Sequence, residues 1–105
     1  MIQYDNEDIR ELTFTAFHPR IERRDEQWID IDIKFEVADP SQFHTDLVEP
    51  TALVICNLAG TIAQMVPQDE GCDCEFQFTF SEKEQLRAFI ESDIVQSQIA
   101  KLASL

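Results

Sequence analysis

The chain runs to 105 residues, with 21 acidic and 8 basic side chains and a net charge of −13; hydrophobic residues make up 44% and charged residues 28%. Residues 1–105 are expected to form a single domain, ordinary in globular composition and with little spare stability, since a small domain buries a smaller share of its surface. The charge repels nucleic acid, whose binding needs a basic footprint, and repels anionic membrane surfaces. It attracts basic proteins and metal cations, and it also serves solubility alone.

The first eight residues, MIQYDNED, read as a loose polar lead-in, acidic where a secretory signal would be basic and then apolar. IRELTFTAFHPRI sets Leu12, Phe14 and Ala16 against Thr13, Thr15 and Phe17, a strand expected to end near His18-Pro19. ERRDEQ is a polar connector of hairpin length. In QWIDIDIKFEV, residues 27–37, Ile29, Ile31, Ile33, Phe35 and Val37 take one parity. Trp28, Asp30, Asp32, Lys34 and Glu36 take the other, as in a half-buried strand. ADPSQ closes this second strand with turn chemistry, and 38–49 is a loop anchored by Phe43.

EPTALVICNLAGTIAQMVP follows a helical period. Asn57, Thr61, Gln64 and Gln68 recur at spacings of four and three, as do Ile55, Leu58, Ile62, Met65 and Val66. This predicts a helix over 50–66, with Pro50 at its first position and Pro67 marking its end. CDCEFQFTF then alternates Cys72, Cys74, Phe76, Phe78 and Phe80 against Asp73, Glu75, Gln77 and Thr79, a third strand with both cysteines buried. Ser81 and Glu84 fit a capping box. The helix they open carries Leu86, Phe89, Ile90 and Ile94, with a kink or break expected near Ser92-Asp93 before Val95, Ile99 and Leu102 resume the stripe. The expected fold is α+β, in the order β-β-α-β-α: a two-layer sandwich of a mainly antiparallel three-stranded sheet with two helices on one face, strand three returning through the helical crossover.

Such a fold leaves one sheet face open. Between residues 25 and 82 there are 13 acids and one base, Lys34, and the open face would carry Trp28, Asp30, Asp32, Glu36, Asp73 and Glu75, beside an acidic loop at Asp69 and Glu70. Like charges on neighbouring strands are destabilising, a cost that a basic partner would relieve, and tryptophan is enriched at interface hot spots. The plainer reading is a solvated face with Trp28 folded over its own hairpin. His18, Arg20, Arg23 and Arg24 form the one basic cluster. It balances its own acids, or makes the molecule bipolar and able to pair weakly with a second copy as a homodimer.

Nothing in the chain specifies a reaction. Two histidines stand in no readable nucleophile–base arrangement, two glycines make no phosphate loop, and Asp30 with Asp32 lack the contrasting environments that acid–base work requires. One Cys-x-Cys pair, Cys72 and Cys74, with Cys56 apart, falls short of a zinc set. We therefore expect no catalytic residue, no metal and no cofactor. Three reduced thiols and no membrane-length apolar run fit a cytoplasmic protein.

In size, acidity and strand–helix mixture along its whole length, the chain resembles the small acidic immunity proteins of bacterial contact-dependent inhibition systems. That resemblance implies a stoichiometric inhibitor which neutralises a basic cognate toxin, such as a nuclease. The alternative is a small adaptor or structural subunit, chaperone-like or phage-encoded, acting through a sheet edge or helix face.

Overall fold

The apolar parity of residues 29–33 is completely buried, and it seeds a sheet larger than the sequence pattern suggested. The computed structural model describes residues 1–4 and 9–105; part of the expected lead-in, Asp5 to Asp8, lies outside them. Its strands are β1 (Ile2–Gln3), β2 (Phe14–Arg23), β3 (Trp28–Val37), β4 (Pro50–Asn57), β5 (Ile62–Asp69), β6 (Cys72–Asp73) and β7 (Phe76–Gln77), followed by helices α1 (Phe80–Ile90) and α2 (Asp93–Ala103). The strands β2-β3-β4-β5-β6 form one five-stranded sheet in sequence order, every pairing antiparallel. A separate ribbon pairs β1 with β7.

Both helices cover one face of the large sheet. Ile29, Ile31 and Ile33 from β3 and Ala52, Val54 and Cys56 from β4 form a common core with Leu86, Ile90, Val95 and Ile99 from the helices. The chain is thus α+β, but not in the expected order: the sheet has five strands rather than three, and no helix crosses over within it.

The helix expected over 50–66 is instead the β4–β5 hairpin. Asn57 decides it. Its Oδ1 accepts from the Ala59 and Thr61 N–H groups at 3.0 and 2.9 Å, and the Asn57 N–H donates to the Thr61 carbonyl. Gly60 takes φ +85°, a conformation that suits glycine, so this residue closes the turn rather than weakening a helix. The prolines also change meaning. The Glu70 N–H donates to the Glu49 carbonyl, and the ladder pairs Pro50 with Asp69 and Ala52 with Pro67. Alternation from that bond puts both prolines where the missing N–H breaks no β4–β5 bond.

The remaining corrections are local. The first strand does not stop at Pro19 but runs to Arg23; β2 is an edge strand, where proline is tolerated. A bulge between Phe14 and Ala16 shifts parity, so Phe17, expected on the parity opposite Phe14, turns inward with it and stacks on Phe89 with ring centroids 4.5 Å apart. The expected third strand breaks into the two short strands β6 and β7, which belong to different sheets. Cys72 is therefore exposed and Cys74 half-buried, while Cys56 is buried on β4 and not on a helix. Phe80 opens α1 and is exposed.

The capping box begins two residues early, with Thr79 and Glu82 rather than Ser81 and Glu84. Glu82 is fully buried. Its carboxylate accepts from the Thr79 and Leu12 N–H groups, each at 2.8 Å, and from the Met1 ammonium at 2.6 Å. Those partners tie the chain's first residues to the helix start, and Met1 is buried rather than loose. The break near Ser92-Asp93 falls where expected, between α1 and α2. Phe43 packs against the core beside Phe35, as expected of an anchor.

Candidate functional site: the free sheet face

The face opposite the helices can be followed row by row through the ladder. One row reads His18, Lys34, Thr51, Gln68 and Asp73; the next Arg20, Asp32, Leu53 and Val66; the third Glu22, Asp30, Ile55 and Gln64. Trp28 and Asn57 pair beyond the third row, and Glu36 pairs with Ala16 at the opposite end. The fold therefore gathers Trp28, Asp30, Asp32, Glu36 and Asp73 on one surface. Glu75 lies between β6 and β7 and is outside the large sheet's ladder. Asp69 and Glu70 sit at the β5–β6 turn. The Asp69 carboxylate is already engaged, accepting from the Glu49 N–H at 2.7 Å and the Val48 N–H at 3.0 Å.

The aspartates of β3 do not form a bare acidic field, because β2 and the hairpin tip lay Arg20 and Arg24 across them. Arg24 pairs with Asp30: Nε donates to Oδ2 at 2.9 Å, and Nη2 lies 2.8 Å from Oδ1, which is buried and accepts no hydrogen bond among the described residues. The hydrogen bond to Asp30 raises the Arg24 guanidinium further above its ordinary value. Arg20 is shared between Glu22 at 3.2 Å and Asp32 at 3.6 Å. His18 Nε2 lies 2.9 Å from Glu36 Oε2. Of the basic cluster read in the sequence, His18, Arg20 and Arg24 meet the acids of β2 and β3, whereas Arg23 donates to the Leu102, Ala103 and Leu105 carbonyls at the end of α2.

The excess negative charge lies at one end of the sheet. Asp39, Asp46 and Glu49 in the β3–β4 loop, with Asp69, Glu70, Asp73 and Glu75 around β6, all sit where β3 and β5 finish and β4 begins. Among the described residues, Asp39, Glu70, Asp73 and Glu75 make no ion pair. Asp39 accepts from the Ser41 hydroxyl and N–H, which hold its carboxyl below the usual range.

The middle of the face is apolar. Leu53, Ile55 and Val66 are half-buried there, with Trp28 at the margin. An antiparallel strand with one wet face ordinarily alternates apolar with polar; β4 reads PTALVICN and is apolar on both parities except at Thr51 and Asn57. These residues were missed because the segment's 3.6-residue period pointed to a helix. The available signal was the short two-sided apolar run followed by an Asn-to-Gly turn, which is how a strand covered on both faces reads.

The cysteines offer no chemistry together. Burial pushes the Cys56 thiol up to about 11 and raises that of Cys74, so neither is an activated thiolate. Among the described residues no three His, Cys, Asp or Glu side chains converge as a metal site requires, and no helix is long and apolar enough to cross a membrane. No protein-family model, no curated protein and no solved structure matches this chain.

Proposed function

We propose that the chain is a stoichiometric inhibitor, of immunity-protein type, which docks a basic protein such as a nuclease toxin against the free face of its sheet. The observation that carries this reading is the apolar floor of that face. Leu53, Ile55 and Val66 lie beside Trp28, flanked on the β3 side by charged side chains and on the β5 side by Gln64 and Gln68, and bordered at one end by uncompensated acids. Protein interfaces have this anatomy of an apolar centre and a polar rim, with aromatic anchors. The acidic end, with Asp73, Glu75, Glu70 and Asp69, supplies long-range attraction for a cationic partner. Asp30, Asp32 and Glu36 set register through pairs that the partner's own cations could exchange. Partnering through a sheet edge is disfavoured, because Pro19 on β2 and Pro67 on β5 interrupt both long outer strands.

The test is co-expression with the product of the adjacent reading frame. The expected result is rescue from its toxicity and a one-to-one complex whose association slows about tenfold or more between low and high salt. A neighbour that is not toxic, or whose toxicity persists beside the folded chain, overturns the reading.

A further inference from the structure

A cleft of about 430 Å³ opens at one end of the free face, where the first two ladder rows meet the β5–β6 turn. That size lies within the range of small-molecule sites. Its charges are sorted by strand. Arg20 comes from β2 and Lys34 from β3, so two of the chain's cationic side chains share one corner, with the His18 imidazole beside them. Glu49, just before β4, and Gln68, from β5, line the opposite side, with the Thr51 hydroxyl between. Asp32 stands beside Arg20.

Two of the ion pairs here are loose, although Glu22 holds Arg20 Nε at 3.2 Å and Glu36 lies 2.9 Å from His18 Nε2. Arg20–Asp32 at 3.6 Å and Lys34–Glu49 at 4.0 Å exceed hydrogen-bonding distance, whereas Arg24–Asp30, away from the cleft, closes to 2.8 Å. Arg20 and Lys34 are diagonal neighbours on adjacent strands, a spacing of about 7–8 Å that one carboxylate can bridge. The Lys34 ammonium, and the Arg20 nitrogens other than the Nε that Glu22 holds, keep donors for an incoming oxygen.

We infer that this cleft binds a small zwitterion of the α-amino-acid class, its carboxylate between Arg20 and Lys34 and its ammonium toward Glu49, with Thr51 and Gln68 holding polar atoms between. A ligand with net negative charge would meet the field of a −13 chain. A neutral zwitterion escapes that repulsion, and the cleft's opposed charges align it. The inference does not rest on the inhibitor reading, since the ligand is free and small.

The experiment is an amide chemical-shift titration of the full chain with a mixture of the common L-amino acids at about 1 mM each, the range of weak metabolite binding. Whichever amino acid binds is then compared with its N-acetyl and its amide derivatives, which remove one charge each. Shifts confined to residues 18–20, 32–34, 49–51 and 68–71 are expected, with each capped derivative weaker by about tenfold, the loss expected for one charge-assisted hydrogen bond. Lys34→Gln and Glu49→Gln, both exposed changes, should each weaken the parent amino acid by a similar factor while leaving the spectrum folded. The inference is overturned if the mixture shifts none of these amides, or if the N-acetyl anion binds as well as its parent.

Discussion

The two halves of the free sheet face meet water differently. The half built from β2 and β3 is charged on nearly every outward position, and its charges neutralise one another across the ladder. The half built from β4 and β5 carries Leu53, Ile55, Val66 and two glutamines, Gln64 and Gln68, with no charge at all. Count alone would have made the first half the sticky one. Pairing makes it a largely neutralised rim, and the apolar half is the part with area to gain from a partner. Exposed ion pairs contribute little, about 0–1 kcal/mol each, whereas apolar area removed from water contributes about 25 cal/mol per Å².

The sharpest break in this comparison lies between the two parities of a single strand. Ile31→Ala, on the helix side of β3, should cost about 3 kcal/mol of stability in a denaturant titration. Asp32→Ala, its neighbour on the free side, should cost less than about 1 kcal/mol. Equal losses would mean that the free face is as tightly built as the core.

Next in size is a pH effect on that same core. Because burial raises the Cys56 thiol to about 11, the folded state keeps a proton that the unfolded chain releases near pH 9. Stability should therefore fall as pH rises from about 9 to 11, by up to roughly 2 kcal/mol. Thermal melts of Cys56→Ala should lack this component. The exposed Cys72 should react with a thiol reagent in the folded protein, and Cys56 only on unfolding.

Binding separates the halves directly. Against a partner protein, Trp28→Ala and Leu53→Lys should each cost about 2 kcal/mol, chiefly through faster dissociation. Charge reversal at Asp73 and Glu75 should act on association and flatten its salt dependence. If Leu53→Lys binds normally while the acid reversals abolish binding, the apolar half is not the contact.

The smallest effect tests the rim itself. A double-mutant cycle on Arg24 and Asp30 should give a measurable coupling, and the looser Arg20–Asp32 pair a smaller one. A coupling at Arg20–Asp32 as large as that at Arg24–Asp30 would remove the distinction between closed and loose pairs on which the cleft depends.

The sequence by itself determined what depends on near neighbours. Strict alternation over 28–37 marked β3 and its buried isoleucines, because a period of two can place Ile29, Ile31 and Ile33 on one side only as a strand. The stripe from Leu86 to Leu102 marked a C-terminal helix with a kink or break near Ser92-Asp93, where the structure separates α1 from α2. Only tertiary structure decided the segment 50–69. Its apolar residues satisfied a helical spacing as well as two strands, and the balance lay with β3, whose exposed backbone groups β4 pairs from Thr51 to Asn57. It also decided which capping box formed, since Glu82 gains the Leu12 N–H and the Met1 ammonium from across the fold and Glu84 gains neither. The charge of the free face was settled in the same way. Composition placed acids on β3, but ladder register and the hairpin tip brought Arg20 and Arg24 to them, and electrostatic energy depends on the distance between charges rather than on their number.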